Sequence, residues 1–312
     1  MRAFNFEPFL SHIQRHRITH IQTAPPVLVM LAKRPETKKY DLSSLVNILC
    51  GAAPLSKELQ NEVSTKFNLK VVQTWGMTEV TCSCLHVPGG MDDRSGSVGQ
   101  VDPNSEIKLI DESGNEVTKP GQRGEIFVRG PNVSAEEPGI SVLIRGCLLT
   151  LLQITHLGYW RNESATKASF DSEGFLKTGD VAIYDDKGWF WIVDRAKEIF
   201  KVNGFQVAPA ELEAVLLEND DIADAAVCAL NKDHEDLPRA YVVLKATAKG
   251  KVKEKDVVEW IATKVAKHKR LSGGVKFIDE VPKSPSGKIQ RVVLREWAKR
   301  DADQGVEIKA RL

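Results

Sequence analysis

The chain has 312 residues, 42% of them hydrophobic and 27% charged, enough apolar material for a sizeable core and, by length, for two domains. Its formal net charge of +1 gives no reason to expect nucleic acid or an anionic membrane surface as a partner. The five cysteines (Cys50, Cys82, Cys84, Cys147, Cys228) have neither metal-site nor disulfide-framework spacing, so reduced thiols are expected.

Residues 4–16 place Phe6, Phe9, Leu10 and Ile13 at helical spacing. A strand is expected over 18–23, then an apolar helix over 27–32 behind Pro25-Pro26. A short strand over 46–50 runs into Gly51-Ala52-Ala53-Pro54, and Ser56 is placed to cap a helix reaching about Phe67. Residues 71–74 form a further strand, which leads into Trp75-Gly76-Met77-Thr78-Glu79. Short strands alternating with helices imply an α/β layer.

From Gly96 the texture becomes β-rich. Strand-like runs at 106–110, 124–128, 175–184 and 189–193 are separated by turns such as Asp111-Glu112-Ser113-Gly114, which predicts a small β-barrel or sheet. After Lys197 an α+β unit is expected: a helix opened by Pro209, strands over 225–230, 240–246 and 275–278, an amphipathic helix over 254–269, and a last helix over 289–299. The longest apolar run, 140–154, contains Arg145 and is too short to span a bilayer, and no signal peptide is read at the start.

Three segments carry a resemblance. They are QTWGMTE at 73–79; KTGD at 177–180 followed by DRAKEIFKVNGFQVAPAELE at 194–213; and PKSPSGKIQR at 282–291. Together they resemble the adenylate-forming superfamily, especially 4-coumarate–CoA ligases and firefly-luciferase-like enzymes, over nearly the whole chain. The resemblance implies the later part of a large AMP-binding domain over 1–194 and a small mobile lid over 195–312. It implies ATP-dependent conversion of a small carboxylic acid to an acyl-AMP and then a CoA thioester, with ATP/AMP, Mg²⁺ and coenzyme A as cofactors.

Site residues follow from the same resemblance. Trp75 would stack on adenine, Thr78 touch the α-phosphate and Glu79 hold Mg²⁺. Taken alone, Trp75 reads as core packing; its neighbours Gly76 and Thr78-Glu79 shift the reading toward the ligand. Gly51, Ala52, Ala53 and Pro54 resemble the loop along the adenine and acyl pocket, where small side chains leave room for a flat group. Asp180 would accept the ribose hydroxyls, and Arg195 would reach ribose and phosphate with a fork suited to anions. Lys197 would be the hinge. Lys201, Gly204 and Gln206 match positions used in thioester formation, Gly204 leaving space for a pantetheine arm. Lys288, in a Ser-Pro-Ser-Gly loop, would stabilise the charge developed during adenylation.

Three departures accompany the match. No Ser/Thr/Gly-rich phosphate loop ending near a Lys is found, which implies an N-terminally truncated chain with a missing N-terminal half. Residues 134–157 read as an insertion, either a retained intron or a real loop, and Asn203 stands where coumarate ligases often carry Lys. The chain's last residues, Ala310-Arg311-Leu312, resemble a peroxisomal address, the alternative being a cytoplasmic protein. The competing functions are an inactive or nucleotide-binding fragment, a unit loading a separate carrier protein, and a luciferase-like oxidation of the adenylate.

Overall fold

A computed structural model describes residues 4–133, 158–159, 161–232, 235–284 and 287–303. The insertion at 134–157 and the terminal Ala310-Arg311-Leu312 lie outside the described residues. Two compact units divide the chain: one takes 1–48, 53–70 and 197–312, the other 49–52 and 71–196.

Helix α1 (Phe6–His16) buries Phe6, Leu10 and Ile13, a spacing that stacks side chains on one helical face. Strand β1 (His20–Thr23) and helix α2 (Pro25–Lys33) follow, the helix with Pro at its first turn, where its missing N–H costs nothing. Strand β2 (Asn47–Cys50) leads to helix α3 (Lys57–Phe67). Ser56 caps α3, its hydroxyl accepting from the Leu59 amide at 3.2 Å, as the sequence implied. Strands β1, β2, β3 (Lys70–Trp75), β4 (Leu85–His86) and β5 (Gln100–Val101) lie in chain order across one sheet.

Four antiparallel strands form the second sheet: β6 (Glu106–Ile110), β7 (Gly124–Arg129), β8 (Leu176–Tyr184) and β9 (Phe190–Arg195). A short helix α4 (Glu163–Ala168) precedes β8. Of the barrel or sheet expected here, the described residues form an open sheet. The reason lies at β9, where the amide of Phe190 donates to the Gly99 carbonyl and the amide of Val98 to the Phe190 carbonyl, both at 2.9 Å. That segment occupies hydrogen-bonding groups that closure onto β6 would need. Three connections in this unit are built alike. Asp111, Asp171 and Asp185 each accept, through one carboxylate oxygen, the amides two and four residues on. Such side-chain-to-backbone bonds are why Asp initiates turns.

The region after Lys197 is a sheet of β12 (Ile222–Lys232), β13 (Glu235–Leu244) and β14 (Val275–Phe277), with β12–β13 antiparallel and β13–β14 parallel. Helices α5 (Pro209–Leu217) and α6 (Glu254–Ala262) cover one face, meeting Ala225, Val227, Ala240 and Val242. Helix α7 (Arg291–Asp303) covers the other, meeting Ala226, Cys228 and Tyr241. Burial on both faces explains why 225–230 reads as a continuous apolar run. The helix expected over 254–269 stops at Ala262. There the Thr263 hydroxyl donates to the Trp260 carbonyl at 2.7 Å, and the Lys264 amide turns onto Ile261 at 2.9 Å. These short-range bonds replace the helical ladder. A 3₁₀ turn at Lys267–Lys269 then sets the His268 ring on Phe205 and pairs Lys269 with Glu211.

Candidate active site

The centre of the first set is Asp180, only 8% exposed. Register places it: in the β8–β9 ladder Asp180 stands directly opposite Arg195. Arg195 Nε donates to Asp180 Oδ1 at 3.2 Å, and Trp75 Nε1, at the end of β3, donates to Oδ2 at 2.8 Å. Burial pushes the Asp180 carboxyl above the usual carboxylate range, while the bonds from Trp75 and Arg195 pull the other way. A carboxylate has about four lone-pair directions, so two acceptor positions remain after these bonds.

Trp75 is itself 6% exposed and packs with Val98, Ile126 and Phe190. The structure therefore assigns it a core position and a donor role toward Asp180, a pairing that no local sequence signal announces. The segment after it is tightly folded. A Cβ on Gly76 would lie 1.7 Å from the Cys82 carbonyl oxygen, so only glycine fits without backbone movement. Thr78 and Glu79 open a 3₁₀ turn (Thr78–Val80), Thr78 exposed and Glu79 half-buried. Asn132 fixes this turn from outside: its amide donates to the Val80 and Ser83 carbonyls at 3.2 Å, and its carbonyl accepts from the Thr81 hydroxyl at 2.7 Å.

Sequence reasoning left Asn132, Tyr159 and Glu125 without a role. The Tyr159 hydroxyl donates to Glu79 Oε1 at 2.9 Å, and Glu125 accepts from the Gly179 amide at 3.0 Å, one residue before Asp180. Only Tyr159 had a signal, as the aromatic of Gly158-Tyr159-Trp160. Upstream, a Cβ on Gly51 would meet Thr74 Cγ2 at 2.9 Å, and Ala52 is held at φ 73°, a left-handed conformation costly for any residue with a Cβ. Ala53 and Pro54 follow and lead to the Ser56 cap. Cys50, Cys84 and Cys228 are buried, and desolvation pushes their thiols up to about 12, which removes them as nucleophiles near neutral pH.

The remaining sequence-selected residues belong to the other unit. Lys197 is exposed in the turn where the chain passes from one unit to the next. Strands β10 (Phe200–Val202) and β11 (Phe205–Val207) form a hairpin in which Lys201 stands opposite Gln206. Its turn is Asn203-Gly204, at φ 51° and 82°. Positive φ at both positions is the type I′ geometry that Asn-Gly favours. Asn203, flagged as a departure, thus has a conformational reason to be there. A cavity of about 480 Å³ beside this hairpin is lined by Lys197, Lys201, Cys228 and Arg295 among others. Lys288 is exposed on a separate loop, its amide donating to Ser284 Oγ at 3.2 Å. Among the described residues the structure brings Trp75, Asp180 and Arg195 into one bonded group, and Lys201 beside Gln206.

Comparison with known proteins decides what this arrangement belongs to. The model of the AMP-binding enzyme family matches residues 1–136, and that of the AMP-binding enzyme C-terminal domain matches 211–288. The chain belongs to the AMP-binding enzyme family. It is 40% identical to the acyl-CoA synthetase ACTT5 of Alternaria alternata, over all of this chain and 51% of that protein. It is 39% identical to a probable 4-coumarate–CoA ligase 2 of Dictyostelium discoideum, over 94% of this chain and 49% of that one. The crystal structure of the anthranilate CoA ligase AuaEII in complex with anthranoyl-AMP superposes with a TM-score of 0.81 at 26% identity, covering 96% of this chain and 53% of that one. This AMP-binding family member thus spans about half the length of the relatives it matches.

Proposed function

We propose that the chain supplies the ribose-binding and lid residues of an ATP-dependent acyl- or aryl-CoA ligase, which joins a small carboxylic acid to AMP and then to coenzyme A. The observation that carries the reading is the Asp180 carboxylate, buried, register-paired with Arg195 and oriented by the Trp75 indole N–H. A carboxylate fixed through one donor on each oxygen keeps two acceptor directions for a vicinal diol such as a ribose. Burial raises this carboxyl, and the same two donors favour its ionised, accepting form. Arg195 meets Asp180 through Nε while its side chain is 59% exposed, which leaves the guanidinium able to meet a phosphate oxygen as well.

Thr78 offers an exposed hydroxyl at the start of a turn held rigid by Gly76 and Asn132, the placement an α-phosphate contact needs. Glu79 is the carboxylate that would hold Mg²⁺. No cluster of three or more metal-binding side chains occurs among the described residues. Mg²⁺ fits such a site, because it is commonly held by one or two carboxylates together with substrate phosphates and water. When bound it would neutralise charge on the phosphates; Tyr159 meanwhile fixes one Glu79 oxygen. For Trp75 we propose orientation of Asp180 as the primary role, with adenine stacking requiring more of the ring to be uncovered than its 6% exposure offers. On the lid, residues 195–312, Lys288 would stabilise the adenylation transition state, and the Lys201–Gln206 hairpin would serve the thioester step about a hinge at Lys197.

ATP–pyrophosphate exchange tests the reading, run on this chain with a panel of aryl and medium-chain carboxylic acids. Acid-dependent exchange that Asp180→Asn and Lys288→Ala both abolish supports it; exchange indifferent to both variants refutes it. The Asp180–Arg195 pair would serve one second reading equally, nucleotide binding without turnover. That reading is distinguished by AMP affinity sensitive to Asp180→Asn in a chain with no exchange.

A further inference from the structure

The motif around Lys288 ends in Arg291, and the motif after Arg195 contains Glu198 and Glu213, none of which the ligase reading uses. The structure brings them together. Arg291 makes a forked ion pair with Glu213, Nη1 to Oε1 at 2.6 Å and Nη2 to Oε2 at 3.0 Å, with side chains 11% and 10% exposed. Glu213 Oε1 also accepts the Val227 amide of β12 at 2.8 Å, so this carboxylate ties α5, β12 and the start of α7 at one point. Glu198, the residue after Lys197, accepts from Arg295 Nη1 at 2.8 Å and lies 3.8 Å from Arg291 Nε.

The other foot of the loop is anchored too. Lys283 bridges to Ile289 across the loop, and Gln290 donates its amide to the Pro282 carbonyl at 2.9 Å. Lys283 Nζ pairs with Asp224 Oδ2 on β12. Within the loop the Ser284 amide donates to the Lys288 carbonyl and the Gly287 amide to the Ser284 carbonyl, each at 2.8 Å. The described residues on either side of 285–286 are therefore bridged to each other and held by two ionic anchors, Lys283–Asp224 before Lys288 and Arg291–Glu213 after it.

We infer that Asp224 and Glu213 are positioning residues for Lys288, fixing the two feet of its loop, and that Glu198 ties the turn at Lys197 to α7. The inference rests on the ligase reading for the role of Lys288, and on geometry alone for the anchoring. A forked guanidinium–carboxylate pair fixes orientation as well as distance, which a single lysine contact cannot do.

The test is hydrogen exchange on the chain, read over residues 283–290 in wild type, Asp224→Asn, Asp224→Glu and Glu213→Gln. Asp224→Asn and Glu213→Gln are expected to speed exchange of the loop about tenfold, the effect of losing one charge-assisted bond, with Asp224→Glu close to wild type. Exchange over 241–244 and 257–261 should not change in Asp224→Asn. Where wild type catalyses pyrophosphate exchange, Asp224→Asn should lower kcat while KM for ATP and thioester formation from supplied acyl-adenylate hold. A generally loosened fold would not produce that split. Unchanged loop exchange in both anchor variants overturns the inference, as does acceleration spread evenly over residues 197–303. Should Glu213→Gln fail to fold, Asp224→Asn decides, its side chain being 30% exposed. A wild type inactive in both half-reactions defeats the ligase reading, and loop exchange still decides the anchoring.

Discussion

Replacing Trp75 by Phe keeps an aromatic ring in the core and removes one donor, the Nε1–H that reaches Asp180 Oδ2 at 2.8 Å. A hydrogen bond to a charged group contributes about 1.5–3 kcal/mol, and the partner left behind is a carboxylate only 8% exposed. The loss falls mainly on the ionised form, so the Asp180 carboxyl, already raised by burial, should rise further. The sign follows from linkage. An acid whose folded-state pKa lies above its unfolded value binds the extra proton in the folded state. Stability is then highest below the unfolded pKa and is lost as pH rises through the folded one. In Trp75→Phe that window widens upward. Urea unfolding followed by far-ultraviolet circular dichroism should show a deficit of about 2 kcal/mol at pH 7 that shrinks toward pH 4. The pH-independent remainder measures the lost indole volume. A deficit constant from pH 4 to pH 7 would refute the argument and leave Trp75 as packing only.

Three further substitutions probe other elements. Gly76→Ala puts a Cβ 1.7 Å from the Cys82 carbonyl oxygen, so the loop must shift; a thermal midpoint lowered by an amount equivalent to about 3 kcal/mol or more is expected, with loss of the Thr78–Val80 turn in amide exchange. Gly204→Ala places a side chain at φ 82° in open space, which should cost about 1–2 kcal/mol in urea unfolding through backbone strain and not through clash. Asp301→Asn breaks the buried pair with Arg239, whose side chains are 3% and 5% exposed, and should cost about 3–5 kcal/mol at pH 7. Burial alone would raise the Asp301 carboxyl, but bonds from Lys276 and Arg239 outweigh it and hold it below the ordinary range. Its contribution is therefore present above the unfolded pKa and lost as pH falls through the folded one, and the mutational deficit should fade in acid.

Local features of this fold were readable because their causes are local. Spacing of Phe6, Leu10 and Ile13 dictates α1, and the Ser56 hydroxyl dictates where α3 begins. The end of α6 was missed because an amphipathic pattern continues to Val265, while the chain is turned away by the Thr263 hydroxyl and by the partners of His268 and Lys269. Sequence left open whether the second sheet closes for a similar reason: the claim of residues 98–99 on Phe190 is a pairing between segments far apart in sequence. In the candidate site, motif matching supplied residue identities without partners. Trp75 and Asp180 are 105 positions apart, and nothing in QTWGMTE says that the indole N–H ends on the Asp of KTGD. Glu213 and Arg291 lie 78 apart and look like surface charge in sequence, yet form a buried fork.

That fork bears on how a lysine on a loop can act at all. An exposed Lys288 carries rotamer entropy in its own stem, and an unanchored loop would add backbone freedom of about 1–2 kcal/mol per residue to be lost each time the charge is presented. Lys283–Asp224 and Arg291–Glu213 remove the second part during folding, leaving only the side chain to be ordered in the reaction. On the proposed ligase reading, a charge that serves one half-reaction would gain from this division, because the feet of its loop are already held to β12 and α5. It follows that loosening either anchor should weaken adenylation more than any step in which Lys288 takes no part.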